Sequence, residues 1–260
     1  MKKIGFIGMG NMARAIAKGV VNGGAAEPEA LSAYAPHYDR LNEFCAPLGI
    51  HACRSVFELL ERSDAVVMAV KPYVMEGVLA EIREALKGKA VLSVVAGYTC
   101  ARYRPLVDES VRVQYIMPNT PCGVGAGMLL FEEETTLTDS EREEAVKLFS
   151  ALGAVETLPS RLMGAAMAIS GCGPAFVAMM IEAMADAGVK HGLPRATAYR
   201  LASQTAVGTG RLQLETGMHP GEIKDGVCSP GGTTIRGVEA LEACGMRHAF
   251  WEAVNATLKG

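Results

Sequence analysis

Aromatic residues are scarce in this chain, with 7 Phe, 7 Tyr and a single Trp among 260 residues. Charge imbalance is nearly absent: 25 Lys and Arg against 28 Asp and Glu leave a formal net charge of −3. Without a basic block or interleaved aromatics, the sequence offers neither a nucleic-acid groove nor an attraction to anionic membrane, and small molecules are the expected partners. The 7 cysteines (Cys45, Cys53, Cys100, Cys122, Cys172, Cys228 and Cys244) never fall at Cys-x-x-Cys spacing. That argues against a disulfide framework and against a structural zinc site, so no metal is expected; reduced thiols suggest a cytoplasmic protein. The N-terminal apolar run is too short for the core of a signal peptide and passes directly into a glycine turn.

One uncharged stretch, residues 162–181, has the length of a membrane span. At its middle stand Ser170-Gly171-Cys172-Gly173-Pro174, which would break a lipid-exposed helix, and Glu182 and Asp186 follow in the same helical pattern. Two buried helices joined by a turn are expected there instead.

What is present begins with residues 2–13. Ile4, Phe6 and Ile7 form an apolar strand, Gly8-Met9-Gly10-Asn11-Met12-Ala13 gives Gly-x-Gly-x-x-Ala, and 14–21 continue as a helix. This is the sequence of a dinucleotide-binding turn. Gly8 permits the sharp bend, Gly10 lets a pyrophosphate approach the backbone, Ala13 lets helix and strand lie close, and the helix N-terminus offers free N–H groups. Residues 8–12 are therefore candidate cofactor contacts.

Further apolar runs at 30–35, 64–70, 90–95, 111–117 and 128–131 read as strands, with helices at 75–86 and 139–152. Continuous apolar strands separated by helices imply a mostly parallel sheet covered on both faces. From about residue 160 β-branched runs give way to Ala, Met and Leu at helical spacing. About five helices and no strand are expected. The fold class is α/β: an N-terminal Rossmann-type doubly wound sheet over 1–159, then an all-helical domain over 160–260. Residues 175–187 are apolar nearly all round, as a helix buried on every side would be. A helical domain this small gains much from a second chain, so a homodimer through it is expected.

An NAD enzyme commonly ends its second strand with a carboxylate for the adenosine ribose. Here Ala35 takes that place and His37 and Arg40 follow, which favours NADPH while admitting NADH. Val70-Lys71-Pro72 and the rigid Met117-Pro118-Asn119-Thr120-Pro121 end strands at the same sheet edge. Val70, Lys71, Pro72 and the Asn119 carboxamide become cofactor candidates. In the helical half, Ser229-Pro230-Gly231-Gly232-Thr233-Thr234 precedes a helix expected from residue 235. Free N–H groups and three hydroxyls there suit a small anion such as a carboxylate. No Ser-His-Asp constellation accompanies these features, nor a glycine-bounded lysine suited to protonating an alcohol. Reduction of a C=N bond fits, because an iminium brings its own proton.

These motifs resemble the pyrroline-5-carboxylate reductase family nearly end to end, with Ser170–Ala175, Gly188–Pro194 and His219–Thr234 adding to the glycine loop. The resemblance implies hydride transfer from NADPH to Δ1-pyrroline-5-carboxylate, giving L-proline in the last step of proline biosynthesis. It implies that Ser229, Gly231, Gly232, Thr233 and Thr234 bind the substrate, with the catalytic Thr234 hydroxyl on the ring nitrogen. It further implies interlocked dimers, and larger rings built from them. The chain departs from the common pattern at Cys172, Phe176 and Val56, where relatives often have Ser, Tyr and Asn. Two other readings compete: a hydroxyacid dehydrogenase using Lys190 or His191 as proton donor, and a non-catalytic NADPH sensor.

Overall fold

The computed structural model describes residues 1–258, which form two compact units, Met1–Gly171 and a helical remainder from Cys172 on. In the first unit the chain runs β1 (Ile4–Ile7), α1 (Asn11–Asn22), β2 (Leu31–Tyr34), α2 (Tyr38–Cys45), β3 (His51–Ala52), α3 (Val56–Arg62) and β4 (Ala65–Met68). It continues through α4 (Met75–Ile82), β5 (Ala90–Ser93), α5 (Cys100–Tyr103), β6 (Arg112–Met117), β7 (Gly127–Thr135), α6 (Asp139–Ser150), β8 (Gly153–Leu158) and α7 (Ser160–Ser170). The 8 strands form one sheet in the order β3-β2-β1-β4-β5-β6-β7-β8. Every neighbouring pair is parallel except β6 and β7.

The expected two-faced cover is present. Alternation along β1 and β4 sends Ile4, Phe6, Ala65 and Val67 to one face, where Ile16, Val20 and Phe149 pack. It sends Ile7, Val66 and Met68 to the other, against Leu59, Leu79 and Tyr103. All positions of β1, β4 and β5 are buried, which is why their sequences read as unbroken apolar runs. Strand order reverses between β1 and β4, and ligands of open α/β sheets settle outside the carboxyl ends at such a point.

Several elements differ from expectation. β7 continues past Phe131 through Glu132 and Glu133 to Thr135. Glu132 is buried there, because its carboxylate accepts the Cys100 N–H at 2.7 Å and the Ser160 hydroxyl. A buried carboxylate is tolerated where such bonds satisfy it. β3 spans only His51–Ala52, and the short apolar start of β8, Ala154-Val155, is followed at once by Glu156 and Thr157, so neither had an apolar run to announce it. α7 packs on β7 through Met163, with Tyr115, Met117 and Leu130, so by its contacts this helix groups with the sheet.

The second unit consists of α8 (Gly173–Lys190), α9 (Arg195–Thr216), α10 (Pro220–Val227), α11 (Thr233–Ala243) and α12 (Met246–Leu258). α7 and α8 together, Ser160–Lys190, are long and apolar enough to cross a membrane by composition, and they are interrupted where expected, between Ser170 and Gly173. The expectation that residues 175–187 are buried on every side is corrected, since within one chain only Ala185 of α8 is buried. Met179 of α8 is 69% exposed and Trp251 of α12 is 73% exposed. Five helices cannot cover this much apolar surface by themselves, and a surface of this extent marks an association face.

Candidate active site

The glycine turn is built as its sequence demands. Gly8 has φ +92°, and a Cβ added there would lie 2.7 Å from the Ala69 carbonyl oxygen. Its N–H donates to the Tyr34 carbonyl at 2.9 Å, which ties the exit of β1 to the end of β2. Around a Cβ placed on Gly10, by contrast, no atom lies within 4 Å, so the backbone there faces open space. Gly10 is the N-cap of α1 and carries no side-chain cap. The first-turn N–H groups of Asn11, Met12 and Ala13 therefore remain available to an anion, while Arg14 Nε donates to the Met9 carbonyl at 3.1 Å and steadies the loop. This cradle fits a dinucleotide pyrophosphate.

Lys71 is exposed beyond the end of β4, between Val70 and Pro72, and Pro72 begins a short 3₁₀ turn. Asn119 is tied into the chain at both ends of its carboxamide. It is buried, its Nδ2 donates to the Ser170 carbonyl at 2.9 Å, and its Oδ1 accepts from Met128 N–H at 2.9 Å. Both ends of the carboxamide thus bind the chain itself and join the β6 exit to β7 and α7. Sequence could not disclose this, because the partners lie 51 and 9 residues away.

Beyond β2, Ala35 is half-buried and His37 is exposed. Pro36, His37, Tyr38, Asp39 and Arg40 line a surface groove. Arg54, not singled out in the sequence, places its guanidinium carbon 4.1 Å from the centroid of the Tyr38 ring. The fold also gathers ligand atoms of His51, Cys53 and Glu58 within 4.8 Å of one another. His51 and Glu58 are bonded to each other at 2.9 Å, and burial pushes the Cys53 thiol up to about 11. Burial also raises Cys45 and Cys122 to about 11, so these thiols stay protonated.

In the helical unit, α11 begins at Thr233, two residues before the expected start at 235. Its N-cap, Gly232, carries no side-chain cap. Gly231 has φ +70°, and the turn it permits closes with Gly232 N–H donating to the Ser229 carbonyl at 3.0 Å. A Cβ on Gly232 would lie 2.4 Å from Ser229 Oγ, so the hydroxyl rests against the mouth of the helix. Ser229, Thr233 and Thr234 are exposed. Free first-turn N–H groups beside three hydroxyls form an anion receptor, with the helix dipole adding to it. Lys190 and His191 stand at the C-terminus of α8, where His191 N–H closes the last turn on Ala187.

Comparison with known proteins separates an N-terminal cofactor half from a C-terminal dimerisation half. The family model described as pyrroline-5-carboxylate reductase dimerisation matches residues 160–260. The model described as NADP oxidoreductase coenzyme F420-dependent matches residues 3–97. The pyrroline-5-carboxylate reductase of Treponema pallidum is 41% identical over 259 residues, covering 98% of each chain. That of Escherichia coli is 39% identical, covering 99% of this chain and 96% of its own. The crystal structure of Plasmodium falciparum pyrroline carboxylate reductase with NADP bound superimposes with a TM-score of 0.89 at 31% identity, over 99% of this chain and 95% of that one.

Proposed function

We propose the chemistry of this site from one premise: the chain belongs to the pyrroline-5-carboxylate reductase family. It is an NAD(P)H-dependent oxidoreductase that reduces the C=N bond of Δ1-pyrroline-5-carboxylate to L-proline, the last step of proline biosynthesis, and it forms a homo-oligomer through its helical domain. The observation that carries this is the similarity over 98% of both chains, which spans the cofactor half and the helical half alike.

The roles of individual residues follow from geometry and chemistry. The substrate carboxylate rests on the N–H groups of Thr233 and Thr234 and on the Ser229 hydroxyl, with Gly231 and Gly232 shaping the turn. Thr234 Oγ1 then accepts from the protonated ring nitrogen, which fixes the plane of the C=N bond. Bound NADPH supplies a hydride from nicotinamide C4 to the imine carbon, which is C2 of the pyrroline ring and becomes C5 of proline. As that bond forms, the π pair stays on nitrogen, which keeps its proton and takes a second from water as proline is released. The protein orients and stabilises; it need not donate the proton. Gly8, Met9, Gly10, Asn11 and Met12 hold the pyrophosphate, Ala35 and His37 border the adenosine, and Val70, Lys71 and Pro72 line the edge beyond β4. NADPH is preferred over NADH. The enzyme works in the cytoplasm, and its dimers assemble into a larger ring.

The test is reduced-nicotinamide oxidation with Δ1-pyrroline-5-carboxylate, an acyclic 2-keto acid and no substrate in parallel. Oxidation with the cyclic imine alone is expected. Oxidation with the keto acid alone would transfer the reading to hydroxyacid dehydrogenases, and cofactor binding without turnover would transfer it to a sensor. Lys190→Ala and His191→Ala are each expected to hold kcat within about threefold, because these residues end a helix and donate no proton; loss of turnover in either would restore the C=O reading.

The exposed apolar face of the helical unit accounts for the dimer. Phe176, Met179, Met184, Leu241 and Phe250 line one apolar groove on it. Placing a charge in that groove with Met179→Asp is expected to shift the sedimentation coefficient toward the single chain, since an unpaired buried carboxylate costs several kcal/mol, of order 3. Unchanged sedimentation would locate the interface elsewhere.

A further inference from the structure

We propose that Arg54 reads the 2′-phosphate of NADP(H), and so sets the preference of this enzyme for NADPH over NADH; the proposal rests on the reductase reading above. The argument starts from strand register. β2 and β3 are parallel, with Ser32 opposite His51 and Ala33 opposite Ala52. Cys53 N–H donates to the Ala33 carbonyl at 2.8 Å and carries the pairing one residue further. Arg54 therefore leaves the edge strand at the level where β2 gives way to the loop of Ala35, Pro36 and His37. In a dinucleotide fold the adenosine ribose lies beyond the carboxyl end of that second strand.

What stands there is a guanidinium that no carboxylate among the described residues pairs. The customary carboxylate is replaced by Ala35, which removes a repulsion against a phosphate. The Arg54 guanidinium lies over the Tyr38 ring at 4.1 Å, an arrangement that occupies its face and leaves its N–H edge for a ligand. Glu58, the acid nearest in sequence, is already engaged. Its Oε2 accepts the Arg54 backbone N–H at 2.8 Å, and its Oε1 bonds His51 Nε2 at 2.9 Å. Among the described residues no carboxylate forms an ion pair with the Arg54 side chain; Asp39, exposed in the first turn of α2, is the one acid along the groove, beside His37 and Arg40. A planar, fixed guanidinium can bind a phosphate through two N–H groups at once, and the ring holding it lowers the entropy lost on binding.

The experiment compares two probes that share an adenosine and differ in the 2′-phosphate. Calorimetry on Arg54→Ala is expected to show affinity for adenosine 2′,5′-bisphosphate falling about ten- to a hundredfold, with affinity for adenosine 5′-monophosphate unchanged. KM for NADPH should rise by a similar factor while KM for NADH and kcat are retained. Arg54→Lys should keep part of the preference at low salt and lose it as salt rises, because a point charge without the fork is screened. Unchanged affinity for the bisphosphate, or equal loss for both probes, overturns the proposal, the latter because Arg54 would then only hold the loop. A wild-type enzyme that turns over NADH and ignores the bisphosphate also overturns it, yet leaves the reductase standing. Failure of the wild type to bind either cofactor removes the reductase reading itself.

Discussion

Thr234→Ala is expected to lower kcat/KM for Δ1-pyrroline-5-carboxylate by about ten- to a thousandfold, the loss characteristic of one oriented transition-state contact. The variant isolates the hydroxyl. Residue 234 lies in the first turn of α11, so its backbone N–H keeps its place at the mouth of the helix after the change. Alanine is also a good helix former, so the receptor keeps its shape. What disappears is the hydroxyl proposed to accept the ring N–H and so to fix the plane of the C=N bond. NADPH affinity, read from cofactor fluorescence, should stay as in the parent enzyme, and Thr234→Ser should recover most of the rate. Equal kcat/KM in parent and Ala variant would falsify the role given to Thr234.

Gly153→Ala is expected to prevent the sheet from closing as it does in the parent, at a cost above about 4 kcal/mol, the range reserved for severe backbone conflict. Gly153 opens β8 opposite Gly127 of β7, with φ +145°. A Cβ there would stand 2.0 Å from the Gly127 carbonyl oxygen and 2.5 Å from its nitrogen. Both neighbours are backbone in a paired strand and have no rotamer through which to move away. Gly24→Ala is the control. It too has a positive φ, +63°, but a Cβ on it meets no atom within 4 Å. Its cost is the backbone strain alone, about 1 kcal/mol. Thermal unfolding of both variants, followed by circular dichroism, separates the two effects; similar melting of Gly153→Ala and the parent would mean the strands can part without penalty.

The sequence was most informative where one local rule acts alone. β1, the turn at Gly8 and the start of α1 were readable because strand, turn and helix each leave their own mark within twelve residues. β4 and the first three residues of β5 were readable because a strand buried on both faces is apolar nearly throughout. Glu132 shows where that rule ends: its carboxylate is satisfied by Cys100 and Ser160, far along the chain, so a core strand can pass through charge. The two chain partners of Asn119 were hidden for the same reason. The loop at residues 229–234 could be read as an anion receptor because adjacent glycines and three hydroxyls are local. Arg54 could not, since its significance arises from the register of a two-residue strand and from a ring sixteen positions earlier. The identity of α8 as an apolar helix was evident, whereas its exposure within a single chain was not, because what covers it lies outside the chain.

That last feature alters what stability means for this enzyme. A unit in which α8 and α12 leave their apolar side chains in water when single gains its missing interior only from a second copy. Folding of the helical half and encounter between chains are then governed by the same mass action, so the free energy of unfolding includes a logarithm of protein concentration. A melting temperature for this protein describes a concentration as much as a sequence, and a chain released alone at high dilution carries a finished sheet attached to an unfinished half.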